Sequence, residues 1–189
     1  VGSEMCIRDR INGTVELGED VIVYDDSSGH QAASCAEVVA KTGANTLLVT
    51  PEVAIGREFG GTSYATHMRE LDKLAVGVLT DLRLMRVQKT SSGLEATFRH
   101  EYSHQEEVIE TEQIVCEAGT VPNDSLYFAL VDQSTNEGEV DYDALINVEP
   151  QLVMNNPNGL YQIFRVGDAV SSRNIHAAIY DSLRLCLAI

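Results

Sequence analysis

The sequence predicts an α/β fold: a parallel sheet packed with helices, plus an antiparallel β-meander. Three observations carry this. Short apolar runs alternate with amphipathic stretches over residues 21–80. Period-two segments follow, in "LRLMRVQKT", "LEATFRHEY" and "EEVIETEQIVCEAG". The chain then closes with a Gly-Asp turn and a helix, in "FRVGDAVSSRNIHAAIYDSLRL", residues 164–185.

Each element has its own reason. "VIVYD", 21–25, is an apolar run suited to a strand buried on both faces. In "AASCAEVVAKTG" a helical stripe runs through Ala33, Ala36, Val39 and Ala40, and Gly43 closes the helix. "NTLLVTP" is a second buried strand, stopped by Pro51. This is a βαβ unit, so the strands are expected to run parallel with a right-handed crossover. "SYATHMRELDKLAVGVLT" gives a helix with Met68, Leu71 and Leu74 on one face, then a strand near 77–80. The first two period-two segments meet around Ser91-Ser92-Gly93, the signature of a hairpin. "QIVCEAG" returns to the buried parallel type. Residues 131–150 are acidic and turn-rich and read as a connection; 151–185 give a strand or two and the closing helix.

Composition narrows the function classes. The 189 residues suffice for one domain or one and a half. A formal net charge of −16 argues against a nucleic-acid surface and against anionic membranes. No run of eighteen apolar residues occurs, and the first residues lack the order of a signal peptide. Cysteines at 6, 35, 116 and 186 form no CxxC pair; Cys35 and Cys116 sit in apolar contexts. A reducing, cytoplasmic location without a disulfide framework is expected.

The order βαβαβ, meander, then a strand ending in Ala-Gly and "VPN" is similar to the pyridine-nucleotide domain of two-dinucleotide flavoproteins, where one Rossmann-like domain is inserted into another. "VIVYDD..GH.AA..AE", "CEAGTVPN..L" and the Gly-Asp segment resemble the C-terminal third of the trimethylamine dehydrogenase and 2,4-dienoyl-CoA reductase family, within the NADH:flavin oxidoreductases. The branch nearest in character demethylates dimethylglycine or N-methylproline. The resemblance covers roughly residues 20–186. It implies residues 13–131 as a Rossmann-like FAD/NAD(P)-type domain with its meander, 132–150 as a linker, and 151–189 as the returning half of a second dinucleotide-binding domain. "VGSEMCIRDR", within 1–12, resembles translated adaptor sequence, which implies a fragment. The parent would carry an N-terminal (β/α)8 barrel with FMN and substrate, and a four-cysteine 4Fe–4S cluster. Its reaction would oxidise an N-methyl amine to an iminium that water hydrolyses. The expected partners are that barrel, and a second copy or an electron-transfer protein.

The site residues follow from the closing segment. Asp168 can accept hydrogen bonds from two sugar or ribityl hydroxyls, or serve only as an acid at a helix start. Gly167 permits close approach of backbone to a ligand. Residues 170–174 open a helix whose free N–H groups can face a pyrophosphate, with Ser171, Ser172 or Asn174 as its cap. Arg173 reaches a phosphate or neutralises nearby acids. The candidate residues for FAD or ADP are thus Gly167, Asp168, Ala169 and Arg173, with no catalytic and no metal residue assigned. His176 reads as structural, and Ile175, Ile179, Leu183 and Cys186 as the buried stripe of the helix.

NAD(P) is disfavoured in the inserted domain. Its first β–α turn, "DDSSGHQAASCAE", has one glycine, Gly29, and "VTP" ends the second strand without an acid for the ribose. His30 and "GREFGG", 56–61, line the mouth of that turn as loop residues; His100, Glu101 and His104 fall at a hairpin end, a poor metal set. An NAD(P)H-dependent enoyl reductase and a non-catalytic nucleotide-binding module remain as alternatives.

Overall fold

Five of the six residues of β1 (Asp20–Asp25) are buried, and this strand organises the first half of the chain. The computed structural model describes residues 18–187. The adaptor-like segment and Cys6 lie outside the described residues. The chain divides after Gly119 into two compact units.

Unit 1 holds a four-stranded parallel sheet and a three-stranded antiparallel one. The parallel sheet has the order β3-β2-β1-β7, with β2 at Asn45–Val49, β3 at Gly77–Leu79 and β7 at Gln113–Glu117. The meander comprises β4 (Leu82–Lys89), β5 (Leu94–His100) and β6 (Glu106–Thr111). Helix α1 (His30–Lys41) follows β1, and α2 (Gly61–Lys73) follows β2. This is the α/β class that the sequence predicts.

Both faces of β1 are covered, which explains its unbroken apolar run. Val21 and Val23 pack with Ala32, Cys35, Ala36 and Val39 of α1 and with Leu71 of α2. Ile22 and Tyr24 pack instead with Leu82, Ala96 and Phe98 of the meander. Alternation along one strand therefore feeds two cores. Gly43 takes φ +94° after α1, and its N–H bonds the Ala40 carbonyl at 3.0 Å, a helix stop that a side chain would strain.

"EEVIETEQIVCE" divides between the two sheets. Its first half pairs antiparallel with β5; its second half pairs parallel with β1, with Val23 opposite Val115.

Unit 2 contains α3 (Ser125–Leu130), α4 (Tyr142–Asn147), a 3₁₀ turn at Gly167–Ala169 and α5 (Ile175–Cys186). Helix α4 lies inside 132–150, the stretch expected as a linker. The strand or two expected in 151–185 is absent; one isolated parallel bridge joins Ser134 to Tyr161. Side-chain amides do the pairing instead. Asn136, wholly buried, donates to the Ile163 carbonyl at 2.8 Å and accepts from the Ile163 N–H at 2.9 Å. Gln151 likewise engages both backbone groups of Asp141, at 2.9 and 3.0 Å. These contacts satisfy backbone that a ladder would otherwise pair.

Among the described residues no helix is long and apolar enough to cross a membrane.

Candidate nucleotide-binding site

Two turns carry the candidate residues, the β1–α1 turn of unit 1 and the Gly167–Ala169 turn of unit 2. In unit 1 the apolar run of β1 ends on Asp25, which is wholly buried. Its Oδ1 accepts from the N–H groups of Ser27, at 3.2 Å, and Ser28, at 2.9 Å, and from the Ser27 hydroxyl at 3.4 Å. A phosphate-binding turn needs such N–H groups free. Here an internal carboxylate already holds them. Burial pushes the Asp25 carboxyl above its usual range, against the opposing pull of the Ser28 and Ser27 bonds.

The start of α1 is also covered. The His30 ring stacks on Phe59, with centroids 4.5 Å apart and planes within 10°. His30 Nδ1 lies 3.2 Å from His67 Nε2, and His67 Nδ1 lies 2.6 Å from Glu37 Oε1. The carboxylate makes His67 Nδ1 the donor, so in neutral His67 Nε2 accepts from His30 Nδ1–H. His30 and the loop around Phe59 thus form one aromatic cluster over the turn. The residues of this turn do not fit a pyrophosphate.

In unit 2 the backbone is extended at Val166 and turns at Gly167, where φ is +55°. A Cβ there would stand 2.9 Å from Cβ of Ala178. Glycine is required twice, by the left-handed conformation and by the close approach to α5. Ala169 N–H and Val170 N–H close the turn on the carbonyls of Val166 and Gly167. Asn123 N–H donates to the Asp168 carbonyl at 3.3 Å. The Asp168 carboxylate is exposed and has no hydrogen-bond or ion-pair partner among the described residues. It lines a surface cleft with Arg173, Asn174, Ile175 and Ala178.

Of the three candidate caps, Asn174 is the one used: its Oδ1 accepts from Ala177 N–H at 2.8 Å. Arg173 forms an ion pair with Asp181 along the helix. The structure therefore brings Gly167, Asp168, Ala169 and Arg173 together at the start of α5.

The expected buried stripe of α5 is corrected. Ile175, Ile179 and Leu183 are 80%, 63% and 54% exposed, Cys186 is exposed, and Leu185 is the buried residue of the helix. Periodicity reveals that a helix has an apolar face; it does not reveal what covers it. His176 stands in the first turn of this helix, exposed.

His100 serves its hairpin, with Nδ1 accepting from Tyr102 N–H and Ser103 N–H at 3.3 Å each. Among the described residues no group of three or more His, Cys, Asp or Glu side chains could hold a metal ion. The sequence reading missed Asp25, Glu37 and His67. The "DDSS" run was the available signal for Asp25, since Asp followed by Ser favours exactly such side-chain-to-backbone turns.

No protein-family model matches the chain. Over 97% of its length it is 39% identical to "Probable N-methylproline demethylase" of Rhizobium meliloti (strain 1021), of which it covers 27%. Over 94% of its length it is 37% identical to "N,N-dimethylglycine/sarcosine dehydrogenase" of Chromohalobacter salexigens, covering 26% of that protein. The chain is a relative of both. It spans about a quarter of the length of each.

Two solved structures share its fold. The 6-hydroxypseudooxynicotine amine oxidase of Pseudomonas geniculata N1 matches 96% of this chain and 23% of its own, with a TM-score of 0.71 at 18% identity. The thioredoxin reductase of T. acidophilum matches 98% of this chain and 55% of its own, with a TM-score of 0.58 at 15% identity.

Proposed function

We propose that this chain is the dinucleotide-binding-type region of a flavin-dependent oxidoreductase that demethylates an N-methylated amine or amino acid. The observation that carries the reading is the identity of 39% and 37% to two proteins named for that chemistry, across nearly the whole chain. The exposed apolar face of α5 suits a segment that packs against further chain of a longer polypeptide. In this reading unit 1 is a scaffold, because Asp25 and the His30–Phe59 cluster take the positions of a pyrophosphate and its donors. FMN, a 4Fe–4S cluster and the substrate would belong to the rest of the polypeptide, in a cytoplasmic enzyme.

Unit 2 would hold FAD or ADP. The turn fits such a group: Gly167 lets α5 pack close behind it, and Asp168 presents an exposed carboxylate whose acceptors are unused. Asp168 would accept the sugar hydroxyls, and the backbone around Ala169 would face the ligand. Arg173, held by Asp181, orients the helix start. A bound FAD would supply a second electron store, and ADP would supply adhesion alone.

The test is nucleotide content after desalting of the longer protein that contains this segment. Asp168→Ala is expected to lower adenine-nucleotide affinity by roughly tenfold to a hundredfold, through the loss of charge-assisted hydrogen bonds. Amine-dependent dye reduction in the same preparations checks the reaction class. Equal nucleotide content in wild type and variant would reduce Asp168 to a helix-start acid.

A further inference from the structure

Three of the thirteen lysines and arginines of this chain line a single cavity in unit 2, although the formal net charge is −16. The cavity measures about 440 Å³ and lies among α4, the stretch before Gly167 and the flank of α5. It adjoins the Asp168 cleft through Arg173, but Asp168 does not line it.

The three guanidinium groups are held in different ways. Arg165 is fixed by Asp124 at 3.1 Å and lies over the rings of Tyr127 and Phe128, at 4.6 and 5.3 Å. Arg173 is paired with Asp181. Arg184 lies 5.7 Å from the Tyr180 ring centroid and has no carboxylate partner among the described residues. Asp124 neutralises Arg165 and Asp181, the one acidic residue in the lining, neutralises Arg173, so Arg184 is left as the single uncompensated positive charge of the site. The remaining wall includes Leu145, Val166, Val170 and Leu185.

We propose that this cavity is an oxyanion site for a phosphorylated small molecule. Guanidinium forks match phosphate oxygens two at a time, and Arg165 is pre-set by its ring and carboxylate contacts. Arg184 supplies the uncommitted charge. The apolar wall takes the non-ionic body of the ligand, and Ser171 in the lining offers a hydroxyl. The site does not rest on the sugar-binding reading of Asp168.

Calorimetry on the 189-residue chain tests this, with inorganic pyrophosphate, ADP and adenosine as probes. Pyrophosphate and ADP are expected to bind, and adenosine is not. ADP binding more tightly than pyrophosphate would name a nucleotide as the source of the phosphate; equal affinities would name the phosphate alone. Arg184→Gln is expected to weaken both by at least about tenfold. Asp168→Ala is expected to leave pyrophosphate binding unchanged, which separates this site from the neighbouring cleft. Raising NaCl from about 50 to about 500 mM is expected to weaken wild-type binding, a reading that needs no variant to fold. No binding of pyrophosphate or ADP, binding indifferent to salt, or full binding by a folded Arg184→Gln chain would each overturn the proposal.

Discussion

Asp25 and Glu117 stand opposite each other at the ends of the paired strands β1 and β7, and both are buried. Asp25 Oδ1 is satisfied by the turn that follows it, while Oδ2 is buried without a hydrogen-bond partner among the described residues. Glu117 Oε1 accepts from Gly119 N–H at 3.0 Å. Two acids thus close the carboxyl end of the parallel sheet, where α/β proteins usually leave a crevice.

The first prediction concerns pH. Burial raises the Asp25 carboxyl in the folded chain above its usual value of 3.8. The native state therefore holds this proton more tightly than the unfolded state. Its contribution is fully present below 3.8 and is lost as pH rises through the elevated folded value. Asp25→Asn keeps the oxygen that accepts from Ser27 and Ser28 and cannot ionise. We expect its Tm to fall less than that of wild type as pH rises from 3.8 upward. Asp25→Ala leaves two turn N–H groups unmatched and should cost about 1–3 kcal/mol. Thermal melts across that range check both. Parallel wild-type and Asp25→Asn curves would show that Asp25 stays ionised.

The second prediction separates two glycines. Gly43 and Gly167 both have positive φ, +94° and +55°, but only Gly167 has a neighbour within reach of a Cβ. Gly43→Ala should cost about 1 kcal/mol, the backbone term alone. Gly167→Ala adds a 2.9 Å contact with Ala178, so α5 must shift as well. Hydrogen exchange should show faster opening of α5 in Gly167→Ala and unchanged protection of α5 in Gly43→Ala. Equal protection of α5 in the two variants would mean that the contact relaxes at no cost.

The third prediction concerns where the chain is cut. Residues 118–123 are all exposed, whereas the segment around 136 is tied by buried amides. Limited proteolysis should begin in 118–123, not in the region after 131. Asn136→Asp places an oxygen where an NH2 now donates to the carbonyls of Glu139 and Ile163, at 2.9 and 2.8 Å. Replacing two buried donor bonds by opposed acceptors should destabilise unit 2 by about 2–4 kcal/mol. Cleavage then spreads into 134–163. An unaltered digestion pattern for Asn136→Asp would show that the Asn136 amide does not hold this segment in place.

By itself the sequence determined the elements of unit 1. "VIVYD" and "NTLLV" are apolar without alternation, which only strands covered on both faces tolerate, and Gly43 marked the end of α1. It also marked a turn at Gly167-Asp168, since glycine permits the positive φ there and an acid suits the residues before a helix. Tertiary structure alone decided the rest. Asp25 became a buried acceptor because the turn folds its own N–H groups onto it; "DDSS" signals such a turn, but only the packing around β1 buries the carboxyl. Glu37, His67 and His30 meet although they lie up to 37 residues apart, since α1 and α2 pack on one face of the sheet. Asn136 stood in for a strand because a side-chain amide can mimic both groups of a peptide, and no periodicity records that. Arg165, Arg173 and Arg184 line one cavity only once the turn has laid α5 beside the stretch that precedes it. Local pattern encodes secondary structure; which charged groups share a space is set by packing between segments distant in the chain.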